Sequence, residues 1–554
     1  MAGLTKIVLS PTFLILGTFF FIALNLLAFI LATLRPKNFP PGPRGFPGVG
    51  NLLQLHRTFP FLTYSSWARR YGNDTPLGIK KGSTNVVVLN SRRVVAELFE
   101  QRGALYNDRP WEYMSGTWVH KTDLRAAVFQ NSSPWLIRWR REFAHFFGPG
   151  ALTRHRAVYE AETSRLLVKL KDSPDARRAQ LQDILLTWIM SVPCIGVCGK
   201  RPDEMDKYGF SIKHFRQCSI DYAALIAPQP FDIFPVLRYL PDSFGMARWK
   251  EKARSVRKGV FDCGTQFLSA AGEQREALDA GKTNGSESML ASMLREQRDN
   301  KDQTFTTADI GNTAFHVVTA GSGTSLAFMS VVLMILAKYP EVQTRLREEV
   351  LRITSNLPPT VSDIADLKYM DAVWNEVHRW RSVTPQAFPR ATSQDDVYDG
   401  FHIPKGTTVL INAWHIHHSE EDYDRPDEFI PERYLRHPLG MRPELRDKTE
   451  QGETAASRVT FVFGTGRRIC PGMHAAKQNL LLGLAKILWA FDILPPEGEA
   501  TIDLSMETGF VFENFFLRPK DFDVVLRMRE KRSADDISKH YSDAYQAEAE
   551  FLGW

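Results

Sequence analysis

FGTGRRICPG, residues 463–472, sets a single cysteine behind a run of glycine and arginine and directly before Pro-Gly. The segment that follows, MHAAKQNLLLGLAKILWAF, has helical apolar spacing, so Cys470 is expected at a helix start with Pro471 at the first helical position. Unpaired amides at such an end stabilise a thiolate, as do the neighbouring Arg467 and Arg468. Gly464 and Gly466 let backbone pass close to a large planar partner. A buried inert cysteine explains none of these neighbours, and a reactive nucleophile needs a histidine base that spacing does not locate. A metal-bound thiolate fits best. With no second cysteine in a zinc or iron–sulfur spacing, one sulfur points to haem iron.

Composition agrees with a large folded body. The chain has 554 residues, 44% of them hydrophobic, enough to bury one big core or two and to exclude a disordered or fibrous protein. Its five cysteines are few, irregularly spaced and odd in number, which speaks against a disulfide framework and for a reducing compartment. The net charge of +6 is interspersed with acids and implies no nucleic-acid partner.

Residues 12–34, TFLILGTFFFIALNLLAFILATL, carry no charge, and 23 helical residues would span roughly 34 Å, enough for a hydrocarbon core. A cleaved signal peptide is the rival reading, but its apolar core is shorter, about 7–15 residues. A single-pass membrane anchor is expected, with Arg35 and Lys37 favouring a cytoplasmic body. The next stretch, NFPPGPRGFPGVGNLL, cannot be helical and reads either as a plain linker or as a semi-rigid hinge. The expected organisation is therefore a short segment 1–11, an anchor 12–34, a Pro/Gly-rich hinge 35–50, a catalytic domain 51–530 and an extension 531–554.

Beyond the hinge, strand signals are few: TNVVVLN (84–90) and two strands about a Pro-Lys-Gly turn within 400–412. Helical patterns dominate, including an unusually long one over 302–339 that stops before Pro340, while 271–303 reads as an exposed loop. Inside the long helix lies AGSGTS, 320–325, whose two interior glycines each cost about 1 kcal/mol relative to alanine. They serve either close helix packing or a flat ligand lying on an opened turn.

Four segments together resemble the cytochrome P450 family. Phe463, Gly466, Arg468, Cys470 and Gly472 match its haem-binding signature; Glu376 and Arg379 match its Glu-x-x-Arg pair; Pro431–Tyr434 matches the segment whose arginine, Arg433, joins that pair; and Ala320–Ser325 resembles its oxygen-binding helix motif. The likeness extends over about residues 39–528 and implies a mainly α body with a small β region, enclosing one haem b and preceded here by one transmembrane helix. By the same resemblance Thr324 would serve proton delivery, with Ser322, Ser325, water or substrate left to supply the protons, while Arg468, Arg390 and the helix of Trp139 would face the haem propionates. The family's Trp-x-x-x-Arg pattern is broken, since Phe143 stands four residues after Trp139, and this leaves Arg138, Arg140 and Arg141 as alternatives. Gly323 stands where the family commonly has an acid.

The resemblance implies a monooxygenase that takes electrons, ultimately from NADPH, through a flavoprotein reductase, with cytochrome b5 as a possible second donor. Arg467, Arg138 and Arg141 are candidates for steering an acidic partner. Endoplasmic-reticulum residence, O2 as co-substrate and a small lipophilic substrate of secondary metabolism follow from the same likeness. Gly323 motivates a second reading, a haem-thiolate enzyme that desaturates, couples, dehydrates or rearranges; a haem-thiolate sensor is a third. His415, His417 and His418 in WHIHHSE invite a metal, but the region resembles an ordinary loop of the family. Cys194 and Cys198, four apart without other ligands, are expected in the core. The tail DISKHYSDAYQAEAEFLGW is amphipathic and is expected to dock as a short helix.

Overall fold

A computed structural model describes residues 11–120, 124–174, 178–239, 248–299, 304–445, 458–496 and 502–554. The elements that build the site are, in chain order, α1 (Pro11–Ala32), β1 (Leu77–Lys81), β2 (Thr84–Leu89), α2 (Pro134–Phe147), α3 (Arg156–Lys171), α4 (Arg178–Cys198), α5 (Ile212–Ile226), α6 (Trp249–Asp279), α7 (Thr307–Lys338), α8 (Pro340–Ile353), α9 (Lys368–Trp380), β3 (Arg390–Ala391), β4 (Thr408–Ile411), α10 (Met473–Ala490) and α11 (Ala534–Leu552).

The long helix α7 forms the axis. Thr306 caps it by accepting from the amide of Asp309 at 3.1 Å, while the Asp309 carboxylate accepts from the Thr306 amide at 3.0 Å. The helix therefore starts five residues later than 302, and it ends where Pro340 opens α8. Its C-terminal half, Phe328 to Ala337, is wholly buried against α9 and α10, and each large apolar side chain there contributes about 1.5–3 kcal/mol. Its N-terminal half packs against α4 and α6.

The β region is small, as expected. β1 and β2 pair antiparallel, β2 runs parallel to β4 with Val86 opposite Thr408, and β3 closes the sheet antiparallel with Arg390 opposite Val409. The two strands about Pro404-Lys405-Gly406 do not form a hairpin. Phe401–Ile403 pairs instead with Asp396–Tyr398, while β4 crosses into the larger sheet. The stretch 271–303 is also not a loop throughout: α6 continues to Asp279 and a further helix covers Met289–Arg298.

Among the described residues, α4 and α7 are long and apolar enough to cross a membrane, and α1 contains a shorter apolar helical stretch. The windows of α4 and α7 are 67% and 72% buried, so these are core helices. In α1 Leu16, Leu24, Leu26, Leu27 and Leu31 face outward, as do Phe19, Phe20 and Phe21, each at least 66% exposed. The proline-rich stretch after it is not slack. Arg35 donates to Gly42 O at 2.9 Å and Gly78 O at 3.1 Å, and the Gly78 amide donates to Pro41 O at 2.8 Å, which fastens the hinge to β1.

The C-terminal extension docks. α11 lies along α3, and Glu548 joins Glu162 around the guanidinium of Arg201, with all three side chains buried. Burial, then the Glu162 charge, pushes the Glu548 carboxyl up to about 9. The folded chain therefore keeps a proton that the unfolded chain releases near its ordinary 4.5. Protons bound in excess by the folded state make stability fall as pH rises, here between about 4.5 and 9. Glu548→Gln should flatten this slope and raise the thermal midpoint measured at pH 9 relative to the parent chain, with little change at pH 5.

Candidate active site

The cysteine loop is built from short backbone hydrogen bonds. The Cys470 amide donates to Phe463 O at 2.8 Å and the Gly464 amide to Phe461 O at 2.9 Å, closing a tight loop before α10. Gly464 (φ +69°) and Gly466 (φ +57°) take left-handed conformations, and a Cβ on Gly466 would stand 2.6 Å from Phe99 O. The helix begins at Met473 with Gly472 as its cap, so Pro471 precedes the helix and does not open it. Cys470 is accessible to solvent although protein atoms crowd around it, as expected for a sulfur on the wall of an internal chamber. Burial pushes its thiol up, while the Gly472 amide, the Arg140 guanidinium and the Met473 amide pull it down. The nearest cation is thus Arg140 on α2, whereas Arg467 points outward.

Four arginines converge beside this loop. Arg468 donates to Asn107 O at 2.9 Å and Gln130 O at 2.6 Å, Arg140 to Ile469 O at 3.0 Å, Arg390 to Thr465 O, and Arg109 to Phe388 O at 3.3 Å. Among the described residues none of the four forms an ion pair with a carboxylate. Burial and then the neighbouring guanidinium lower Arg390 to about 9 and Arg468 to about 10; Arg109, beside Arg390, Arg468 and Arg140, falls well below the ordinary range. Arginine does not release its proton in proteins, so these depressions express the cost of burying the cations and, secondarily, of holding them close together. Arg109 Nε and Arg390 Nη1 are buried without hydrogen-bond partners. A dianionic ligand would relieve both deficits, and the two propionates of haem b match that need. With a thiol on the chamber wall and this cationic rim, the residues present fit a haem.

This geometry narrows the choice among the arginines of α2. Arg138 is spent on Glu142 and Glu296, Arg141 is exposed, and Arg140 reaches the cysteine loop. Trp139 is a departure from expectation: its indole N–H donates to Thr313 Oγ1 at 3.1 Å, and its ring stacks on Phe143 in the core. Arg109 is an addition. It arrives because the Ala391 amide donates to Asp108 O at 2.7 Å, which sets Arg109 beside β3, a pairing without any signature in sequence.

A second solvent-reaching face comes from α7. In a helix whose middle is mostly buried, Ala320 and Gly323 are exposed and His316, Thr319 and Thr324 are partly exposed; these residues, at i, i+3, i+4, i+7 and i+8, form one stripe. A Cβ on Gly323 would meet nothing within 4 Å, and the nearest atom to one on Gly321 is 3.9 Å away, so close packing does not account for these glycines. The helix is nevertheless unbroken, with no opened turn: Thr324 donates to Ala320 O at 2.8 Å and Ser322 to Val318 O at 2.5 Å. Ser322 and Ser325 are buried on other sides of the helix, which removes Ser325 from the chamber face. His316 is a polar group on the stripe that the motifs do not indicate. Its Nδ1 bonds Asn312 O at 2.8 Å, leaving Nε2 to accept from Tyr222 OH at 2.8 Å, and burial lowers it to about 4, so it is neutral.

Beneath the cysteine loop, α9 carries the buried carboxylate network. Arg379 donates to Glu376 through Nε at 2.7 Å and Nη2 at 2.8 Å, Arg433 Nε donates to Glu376 at 3.2 Å, and the Ile430 amide completes the set at 2.8 Å. Arg379 further donates to the carbonyls of His417, Pro426 and Glu428. Phe463 stacks on Trp374 of the same helix at 6.4 Å, which ties the network to the loop. The histidines of WHIHHSE are structural: His415 meets Asn73, His417 accepts from the Phe461 amide, and His418 stacks on Trp414. Cys194 and Cys198 are fully buried.

Comparison with known proteins bears directly on this arrangement. The family model for Cytochrome P450 matches residues 40–524. The chain is 60% identical to the cytochrome P450 monooxygenase grgG of Penicillium sp, over all of this chain and 99% of that one. It is 29% identical to the cytochrome P450 monooxygenase yanC of Aspergillus niger, over 93% of this chain and 94% of that one, and 27% identical to patI of Penicillium expansum over 96% of each. A solvent-facing sulfur behind a glycine loop, a rim of uncompensated arginines and the open stripe of a buried helix thus stand within a match spanning nearly the whole chain, which belongs to the cytochrome P450 family, among its monooxygenases.

Proposed function

We propose that the protein is a membrane-anchored haem-thiolate monooxygenase that hydroxylates a small lipophilic molecule of fungal secondary metabolism. The observation that carries the haem-thiolate assignment is the combination of Cys470 with Arg109, Arg140, Arg390 and Arg468, since few ligands other than a metalloporphyrin dicarboxylate satisfy a sulfur and four cations together. When bound, haem supplies O2 activation with electrons from a reductase, one oxygen atom going to substrate and one to water. The chain itself does the rest. Burial holds the Cys470 thiol above its ordinary value and Arg140 with two amides offsets this only in part, so a bound metal would supply the rest of the thiolate's stabilisation, and the arginine rim would bind the propionates.

Thr324 Oγ1 gives its own proton to Ala320 O and so presents lone pairs to the chamber, where it accepts from a water and aims that water's second proton. Gly323 adds no acid, so protons reach this point through water. The stripe around it is made of small residues, Thr319, Ala320 and Gly323, which leaves room for a substrate, with neutral His316 as a hydrogen-bonding landmark. The outward-facing phenylalanines and leucines of α1 support anchorage, and the hinge fastened to β1 would hold the body at a set angle to the bilayer. Exposed Arg141 and Arg467 lie on the cysteine side, where an acidic reductase could dock.

Reconstitution with an NADPH-dependent reductase in membranes, followed by product profiling from a fungal metabolite extract, tests the reading. One oxygen atom from 18O2 should appear in a product. A desaturated or rearranged product without label would place the enzyme in the second class of chemistry, and no turnover of any ligand that shifts the haem spectrum would place it among sensors. Thr324→Ala should keep the haem spectrum but divert reducing equivalents to peroxide. Loss of one hydrogen bond of about 1–1.5 kcal/mol corresponds to roughly tenfold less product per NADPH consumed. Unchanged coupling would remove Thr324 from proton delivery.

A further inference from the structure

Helices α5 and α6 meet through a side-chain cluster that the Cys470 chemistry does not use. His214 and Cys218 are four residues apart on α5 and share a face; Cys263 of α6 comes up against them, and one ligand atom from each lies within 4.8 Å of the others. Cys218 Sγ stands 3.4 Å from His214 Nε2. Two ligands of a tetrahedral zinc, sulfur at about 2.3 Å and nitrogen at about 2.0–2.1 Å from the metal, are roughly 3.5 Å apart, so this pair is already spaced as ligands. The setting is shaped for the sulfur. Gly259, one turn before Cys263, lacks the Cβ that would stand 2.7 Å from Cys218 Sγ, and a glycine in mid-helix otherwise costs about 1 kcal/mol. Cys263 is fully buried, Cys218 is 9% exposed, and His214 opens to solvent, which gives the site a dry floor and an entry path.

We propose that His214, Cys218 and Cys263 bind one zinc ion, with water as the fourth ligand. Two thiolates and one imidazole are the donor types zinc prefers, and three protein ligands plus a water is an established zinc coordination. Binding releases the two thiol protons to solvent, and the dithiolate site with its zinc is neutral. The site joins the chamber through α5. Ser219, next to Cys218, contacts Thr319 Oγ1 at 3.0 Å, and Tyr222, one turn on, donates to His316. Zinc therefore clamps α5 to α6 at the base of the wall that carries Thr319 and His316.

The test uses the haem-loaded full chain, isolated under reducing conditions and titrated with zinc against a chromophoric chelator. One zinc per haem is expected, and absorption at the zinc edge should show two sulfurs at about 2.3 Å. Cys218→Ser/Cys263→Ser should retain the haem–CO spectrum, which reports folding, and bind zinc about 100-fold more weakly or worse. Gly259→Ala, with all three ligands intact, should also weaken binding by displacing the Cys218 sulfur. Zinc should slow amide exchange across 212–226 in the parent and not in the double variant. Equal zinc affinity in parent and double variant, a zinc edge without sulfur, or a Cys218–Cys263 disulfide that persists in the chain isolated under reducing conditions would each overturn the site.

Discussion

Replacing Cys470 by serine should give a chain that folds but no longer shows the red-shifted carbon monoxide spectrum of a thiolate-ligated haem, with turnover falling to background. The loop is held by the Cys470 amide on Phe463 O and the Gly464 amide on Phe461 O, neither of which needs the sulfur, so the fold should survive. What disappears is the anionic donor. The Gly472 and Met473 amides and the Arg140 guanidinium favour negative charge at this side chain, but a serine hydroxyl is far too weak an acid to supply it at neutral pH. A thiolate from Cys470 would supply a bound haem with the electron density that promotes O–O cleavage, and serine would not. The measurement is a reduced-minus-oxidised spectrum under carbon monoxide, with circular dichroism as the control for folding. A Cys470→Ser chain that keeps the parent spectrum would show that the haem-binding sulfur lies elsewhere.

Glu376→Ala should destabilise the body by about 3–5 kcal/mol, the cost of breaking a buried ion pair by removing one partner. The size of the effect follows from what remains. Arg379 and Arg433, 0% and 5% exposed as side chains, would keep their charges with only carbonyls for company. The Ile430 amide would lose its acceptor as well. An exposed i,i+3 pair would cost far less, about 0.3–0.5 kcal/mol, so denaturant unfolding at fixed haem loading separates the two cases cleanly. Because Phe463 stacks on Trp374 of the same helix, the variant should also lose haem at lower denaturant than the parent. A loss below about 1 kcal/mol would mean that the network does not act as a buried structural unit.

Local patterns carried much of this architecture in plain view. Cys470 with Gly464 and Gly466 marked a tight loop entering a helix, and the structure has that loop. The start of the helix differs by two residues, because Gly472 caps it and Pro471 stands before it. Glu376 and Arg379 are three apart on one helix, so their contact needs no knowledge of the rest of the fold; that the pair is fully buried depends on α8 and the segment of Arg433 closing over it. The length of α7 was legible from apolar periodicity and from Pro340. Its true start required recognising Thr306 and Asp309 as a capping box in a polar stretch. The helix Met289–Arg298 was hidden because its polar flanks resemble a loop, and only packing against α6 and α7 gives it a buried face.

Sequence by itself determined the chemistry of one sulfur, the class of fold around it and the presence of an apolar N-terminal helix, because each rests on residues within a few turns of one another. Tertiary structure alone decided which cations surround that sulfur and which side of α7 faces the chamber. Arg109, Arg140, Arg390 and Arg468 come from four separate stretches of chain, and their mutual repulsion depends on distance through space, which sequence separation does not report. Ser325 and Thr324 are adjacent in the chain yet differ by about 100° around the helix axis, so only the packing of α7 could say that one faces the chamber and the other is buried.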